Sequence, residues 1–230
     1  MTEQDPLVSV VITVYNGAAY LGEAIESALG QTQGNVEVVV VDDGSDDGSD
    51  EVAQRYPVVF ERSTQRGGIG AARNLATSLA TGEFLTYLDA DDRFPPHKLQ
   101  VQLRAFRDDP ELDVVYGCVS EFVSPELTGE QAARIRPPVA RSESHLSGVM
   151  LIRRAAFDRV GPWTEGLKVG TGVDWYMRSA EAGLKTAMLD DVFLERRIHS
   201  ANNGLREADH RSQYLSIVKE ALDRRRHPRS

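Results

Sequence analysis

Phe84-Leu85-Thr86-Tyr87-Leu88-Asp89-Ala90-Asp91-Asp92 decides how this chain is read. An apolar run with aromatic and β-branched residues predicts a buried strand, and the three carboxylates fall where that strand must end. Acids in that position cannot stay unpaired in a core, so they face water, cap a helix or bind a cation.

Working outward, Leu7 to Val14 and Val36 to Val41 are β-prone runs almost without polar residues, as expected of central parallel strands covered on both faces. Between them Leu21, Ala24, Ile25, Ala28 and Leu29 recur at helical spacing, and Gly30 supplies the stop, giving a βαβ unit. The alternation continues with a helix around Asp50 to Tyr56, a short strand from Val58 to Glu61 and a helix from about Gly70 to Ala80. After the Phe84 strand a helix from Pro96 to about Asp108 has a suitable entrance in Pro95-Pro96. The prediction is an α/β fold, a mostly parallel central sheet flanked by helices.

Beyond Val114 to Val119, a further strand, the regularity fails, and Ser124 to Ser144 reads as a polar, proline-containing excursion. Strand character returns at Val149 to Arg153, Lys185 to Leu189 and Val192 to Arg197. Short helices are expected at Ala155 to Val160, stopped by Gly161-Pro162, and at Asp174 to Ala182. Asp209 to Arg226 reads as an exposed C-terminal helix.

The 230 residues suit a single domain with a sizeable core. A net charge of −9 argues against a partner made of nucleic acid. Cys118 is the one cysteine, which excludes an intrachain disulfide or a thiolate-rich metal site. Met1 to Pro6 lacks the basic start and apolar core of a secretory signal, and no apolar run approaches the roughly 20 residues of a membrane span. A cytoplasmic protein is expected. The run Arg224-Arg225-Arg226-His227-Pro228-Arg229 reads first as a solvated helix end favoured by the dipole, and second as a contact with a partner or with anionic lipid, the latter making the protein peripheral at the inner face of a membrane.

Open α/β sheets bind ligands beyond the carboxyl ends of their strands, and three polar clusters fall there: Val14-Tyr15-Asn16-Gly17, Asp42-Asp43-Gly44-Ser45 and Asp89-Ala90-Asp91-Asp92. Alone, Asp-Asp-Gly-Ser is ordinary turn and cap chemistry; together the three favour a site. Gly68-x-Gly70-x-x-Arg73 is a broken dinucleotide fingerprint, since Arg73 stands where a third glycine belongs. No Walker A loop occurs, and strand one is not followed by the basic glycine-rich loop of a nucleotidyltransferase.

Val8-Ser9-Val10-Val11-Ile12-Thr13-Val14-Tyr15-Asn16, Val40-Val41-Asp42-Asp43-Gly44-Ser45, Gly70-Ala71-Ala72-Arg73-Asn74 and Tyr87-Leu88-Asp89-Ala90-Asp91-Asp92 occur in an order and spacing that resembles the inverting glycosyltransferases of family 2, with the GT-A fold. The likeness is tight over the first half and looser after it. It implies one domain, residues 1–230: a nucleotide-sugar half over about 1–120, an acceptor-binding and catalytic half over about 121–205, and a C-terminal helix and basic tail over about 206–230.

What the resemblance implies can be placed residue by residue. Thr13 and Tyr15 would cradle the nucleotide base, Tyr15 by stacking on a pyrimidine, and Asp43 would accept a hydrogen bond from it, which suits uracil and favours a UDP-sugar. Arg73 would touch base or diphosphate. Asp89-x-Asp91 looks like the family's DxD motif, with Asp91 a direct ligand of Mn or Mg, Asp89 facing the ribose or a metal-bound water, and Asp92 left to local capping or an outer-shell role. In Gly172-Val173-Asp174-Trp175-Tyr176-Met177-Arg178, Asp174 resembles the general base, with Trp175 and Arg178 matching its neighbours on the donor. Val173 departs from the acidic pair common there. The alternative for Asp174 is helix N-capping. His199 would reach the metal or diphosphate, and His145 the acceptor side.

Processive synthases of this family carry membrane helices and a Gln-x-x-Arg-Trp segment that are missing here, so one sugar per encounter is expected. The competing reading is a noncatalytic nucleotide-sugar-binding module. Glycan, lipid, peptide and small-molecule acceptors stay open, as does the oligomeric state.

Overall fold

The computed structural model describes residues 5–32, 34–128, 137–199 and 211–226, with backbone alone at 211–213 and 225–226. The first half is a strict alternation: β1 (Val8–Val14), α1 (Ala18–Leu29), β2 (Val36–Asp42), α2 (Ser49–Ala53), β3 (Val59–Arg62), α3 (Gly68–Leu79), β4 (Phe84–Asp89) and α4 (Lys98–Asp108). Then follow β5 (Val114–Val123), β6 (Ser142–Ser144), β7 (Leu151–Arg153), α5 (Arg154–Val160), α6 (Thr171–Glu181), β8 (Thr186–Ile198) and α7 (Arg211–Arg226).

Strands run in the order β3-β2-β1-β4-β7-β5-β6, with β8 paired to β5. β3, β2, β1 and β4 are mutually parallel; β7 enters antiparallel between β4 and β5, and β8 runs parallel to β5. Val8, Val10, Ile12, Val39, Val40, Val41 and Leu85 have essentially no solvent exposure. Burial of each contributes about 1.5–3 kcal/mol, so a run of such residues fixes the register from both faces. That register aligns Thr13 with Asp89 and Val14 with Asp42, which brings the polar strand ends to one edge of the sheet.

The opposite edge is held by Glu37, whose carboxylate accepts hydrogen bonds from Ser9 Oγ (2.5 Å) and the backbone N–H groups of Thr81 (2.5 Å) and Gly82 (2.9 Å). Gly82 is required there: a methyl at its Cα would sit 2.6 Å from Ser9 Oγ and 2.7 Å from Ser9 N.

Three expectations change in the second half. Lys185 to Leu189 and Val192 to Arg197 form one strand, because the interruption at Asp190-Asp191 is absorbed by a bulge against Cys118. α6 begins three residues before Asp174, after Gly170 in the left-handed conformation (φ 78°), so Asp174 lies inside its first turn and is not the N-cap. The Ser124–Ser144 excursion returns to the sheet as β6; its residues 129–136 lie outside the described residues, as do residues 209 and 210 at the expected start of the C-terminal helix. That helix is not wholly exposed: Ile217 and Ala221 are buried, and Arg224 pairs with Glu181 of α6 (2.8 Å).

Candidate functional site

The carboxylates opening the reading lie on a tight turn, Asp92 N donating to Asp89 O (3.0 Å), and the turn is bolted to the end of β8. Arg93 and Glu195 exchange backbone hydrogen bonds of 3.1 and 2.9 Å. Arg197 donates its backbone N–H to Asp92 Oδ1 (2.9 Å) and its Nε to the carbonyl of Asp91 (3.0 Å). Two residues on, His199 Nε2 meets Asp91 Oδ2 at 2.9 Å. Burial, and then the charges of Asp91 and Asp89, push the Asp92 carboxyl well above the usual carboxylate range. Asp92 is thus an interior anchor, deeper than local capping would place it.

Asp91 and His199 suit a divalent cation. They bring an oxygen and a nitrogen donor together, hydrogen-bonded to each other at 2.9 Å, and a cation would take the place of that hydrogen bond. Among the described residues no group of three or more His, Cys, Asp or Glu side chains could hold a metal alone. Asp91 and His199 alone make no closed protein cage; they are the residues that could hold a hard divalent cation.

Asp89, beside Thr13, is oriented by Arg73, whose Nη2 donates to Asp89 Oδ1 (2.8 Å). The Arg73 guanidinium is buried over Trp163 (4.9 Å to the ring centroid). On the other flank Tyr15 is exposed, and one face of its ring carries the Arg66 guanidinium at 3.7 Å. Asp43 is buried, with Oδ1 accepting from Gly67 N and Oδ2 from Gly68 N, both at 2.8 Å. Its first task is therefore to fix the loop that delivers Arg66; a base would have to use the second lone pair of either oxygen.

The α6 residues behave differently from their expected roles. Trp175 offers no open surface to a donor: it is buried, stacked on Phe157 (5.5 Å, 12°), and its indole N–H donates to Gly161 O (3.0 Å). Arg178 spends its donors on Asp174 (3.0 Å) and the carbonyls of Val160 (3.1 Å) and Pro162 (2.8 Å). Asp174 itself is only 4% exposed, and its Oδ2 accepts from both Thr164 Oγ1 (2.6 Å) and Arg178 Nε. Arg224 Nη2 lies 4.0 Å from Oδ1. These contacts make Asp174 a clip tying α6 to the Trp163–Thr164 segment. His145 is exposed, its ring beside Tyr176 (4.4 Å) and Tyr116 (4.9 Å).

Sequence reasoning missed the support beneath Asp91 and His199. Glu23 of α1 pairs with both Arg93 and Arg197. One turn earlier, Tyr20 packs against His199 (4.7 Å between rings) and Arg197 (4.8 Å), with its hydroxyl on Glu126. The hydrogen bonds from Ser124 and Tyr20 pull the Glu126 carboxyl down to about 2. Arg196-Arg197 beside His199 was a visible signal; nothing local marked Glu23 or Tyr20.

A family model described as "Glycosyl transferase family 2" matches residues 9–161. An uncharacterized glycosyltransferase of Rickettsia typhi is 31% identical over 210 residues, covering 85% of this chain and 65% of that protein. Chondroitin synthase of Pasteurella multocida is 30% identical over 232 residues, 96% of this chain and 24% of the synthase. The chain thus spans two thirds or less of these relatives. Among solved structures, S. aureus TarS 1-349 in complex with UDP-GlcNAc has a TM-score of 0.68 at 23% identity, covering 86% of this chain and 60% of that one. The mannosyltransferase PcManGT from Pyrobaculum calidifontis, in complex with GDP-Man and Mn2+, also has a TM-score of 0.68, at 22% identity, covering 95% of this chain and 65% of that one. At such identities the likeness is one of fold. From the family match over residues 9–161, the chain belongs to glycosyltransferase family 2.

Proposed function

We propose that this chain transfers a single sugar, with inversion, from a nucleotide diphosphate sugar to a nucleophile on a discrete acceptor, with Mn or Mg held by Asp91 and His199. The observation that carries the reading is the Asp91–His199 pair at 2.9 Å, fixed to the sheet edge by Arg197 beside the Asp89–Arg73 ion pair. A bound cation would neutralise charge on the departing diphosphate, which lowers the transition state more than the ground state. Arg73 sets the direction of Asp89. Thr13 and Tyr15 offer a polar and an aromatic surface to the base, and a uridine nucleotide is favoured because its N3 donor complements Asp43. Asp89 would face the ribose.

For the proton of the acceptor we keep Asp174 as the candidate base. To act, it would have to exchange the Thr164 hydroxyl for the acceptor hydroxyl, which is the same kind of donor. The contacts that now hold Asp174 are the observation favouring the second reading, a nucleotide-sugar-binding module without turnover.

The test combines a thermal shift with UDP, with and without manganese, and manganese-dependent hydrolysis of a UDP-sugar. Stabilisation that needs both UDP and metal, lost in Asp91→Ala, is expected. Hydrolysis should vanish in Asp174→Asn while UDP binding stays. A fully active Asp91→Ala would sink the metal assignment, and wild-type binding without turnover across an acceptor panel would favour the module.

A further inference from the structure

Of the large apolar residues exposed among the described residues, four lie in one helix: Tyr214, Leu215, Val218 and Leu222 of α7. Leu215 is 74% exposed, Leu222 47% and Val218 39%. The helix already has a buried side. Ile217 and Ala221 are covered, Ile217 and Tyr214 approach Gly170 at the start of α6, and Arg224 reaches Glu181. The outward stripe is therefore a second apolar face on a helix whose first is satisfied by its own domain.

The charge on that second face is one-sided. At about 100° per residue, positions 214, 215, 218 and 222 span an arc of roughly 100°, and positions 211, 219, 225 and 226 fall within or beside it. Those four positions are Arg211, Lys219, Arg225 and Arg226. The two acids of the helix, Glu220 and Asp223, fall outside the arc. Residues 211–230 hold six Lys and Arg against two acids, in a chain whose net charge is −9. An arc that mixes leucine, valine and tyrosine with arginine and lysine, and contains no acid, is a poor match for a second copy of itself, because like charges would face one another. It complements a surface that is apolar below and anionic above.

We infer that α7 docks this domain onto an anionic lipid bilayer, with Leu215, Val218 and Leu222 in the acyl boundary and Lys219 beside them among the headgroups. Few apolar residues enter, so attachment is reversible and needs both contributions. This inference is independent of the sugar-transfer reading, since the face lies on a separate helix and its binding requires no nucleotide.

The experiment is co-sedimentation of the full chain with phosphatidylcholine vesicles and with vesicles containing 30 mol% phosphatidylglycerol, at low and high salt, without nucleotide. Binding at least tenfold tighter to the anionic vesicles, weakened by salt, is expected. Leu215→Ser/Leu222→Ser should lose it at least tenfold with an unchanged thermal midpoint, as both residues are already exposed; Lys219→Glu tests the charge without touching the stripe. Equal partition of wild type and the double variant, or no wild-type binding, overturns the inference. A concentration-dependent dimer abolished by the double variant, with no affinity for either vesicle, assigns the face to a second copy and also overturns it.

Discussion

Glu23→Gln asks whether the candidate site is held by a carboxylate that sequence reading passed over. Glu23 bridges Arg93 and Arg197, and the Arg197 side chain is only 4% exposed. Removing one partner of a fully buried pair costs about 3–5 kcal/mol. Glu23 is 42% exposed, and Arg197 keeps the Asp91 carbonyl and the Tyr20 and Phe122 rings. Screening therefore reduces the expected loss to about 1–2 kcal/mol at pH 7, measured by urea unfolding. The pH dependence supplies a second check. Burial raises the Glu23 carboxyl, but hydrogen bonding to Arg93 and the charge of Arg197 outweigh it and hold it below its ordinary value. A depressed folded-state value gives stability that is present above the unfolded value, roughly 4.3, and lost as pH falls through the folded one. The gap between wild type and Glu23→Gln should hold steady above about pH 5 and close in more acidic solution. Equal stability at pH 7, or a gap unchanged down to pH 3, would refute the bridge.

Tyr20→Ala should weaken manganese binding, titrated by electron paramagnetic resonance in the presence of UDP, by about tenfold, because outer partners orient metal-ligating histidines; Tyr20→Phe, which keeps the ring against His199 and loses Glu126, should stay near wild type. Gly70→Ala would place a methyl 2.5 Å from Thr164 O, so it should cost about 1–3 kcal/mol in denaturant unfolding; an unchanged midpoint would mean that the Trp163–Glu165 segment yields freely. Lys98 is wholly buried, bonded to Gln102 Oε1 (2.7 Å), and burial drives its ammonium well below the usual value. Since the unfolded chain holds that proton up to about pH 10.4, stability should rise with pH toward that value, more steeply in wild type than in Lys98→Met. Identical slopes would contradict it.

How far the fold was legible follows from what each segment depends on. Val8–Val14, Val36–Asp42 and Phe84–Asp89 are apolar on both faces, so their burial, parallel pairing and polar tips could be read locally. Asp190-Asp191 misled because acids inside a strand normally end it; a bulge, which exists only once β8 lies against β5, lets them face water while the strand continues. Trp175 was misread for a related reason. The family resemblance put it next to Asp174 and Arg178 at a ligand site, but Phe157 and Trp163 come from another segment and convert it into core.

The site divides along the same line. Asp89 and Asp91 announce themselves as acids closing a buried strand, and the family resemblance marks His199, whereas Tyr20 and Glu23 look like any half-exposed residues of an amphipathic helix. Their importance comes from β8, whose Arg197 joins Glu23 of α1 to the backbone of Asp91. Asp174 shows the converse: the family resemblance suggested chemistry, and the fold gave its carboxylate two structural donors. These roles can be separated. Thr164→Val removes the hydroxyl donor from Asp174 and leaves Arg178 in place. If Asp174 is the base, the variant frees an acceptor position and keeps or raises turnover, at a cost of about 1 kcal/mol for the lost hydrogen bond. If Asp174 is only a clip, stability falls similarly and turnover falls with it.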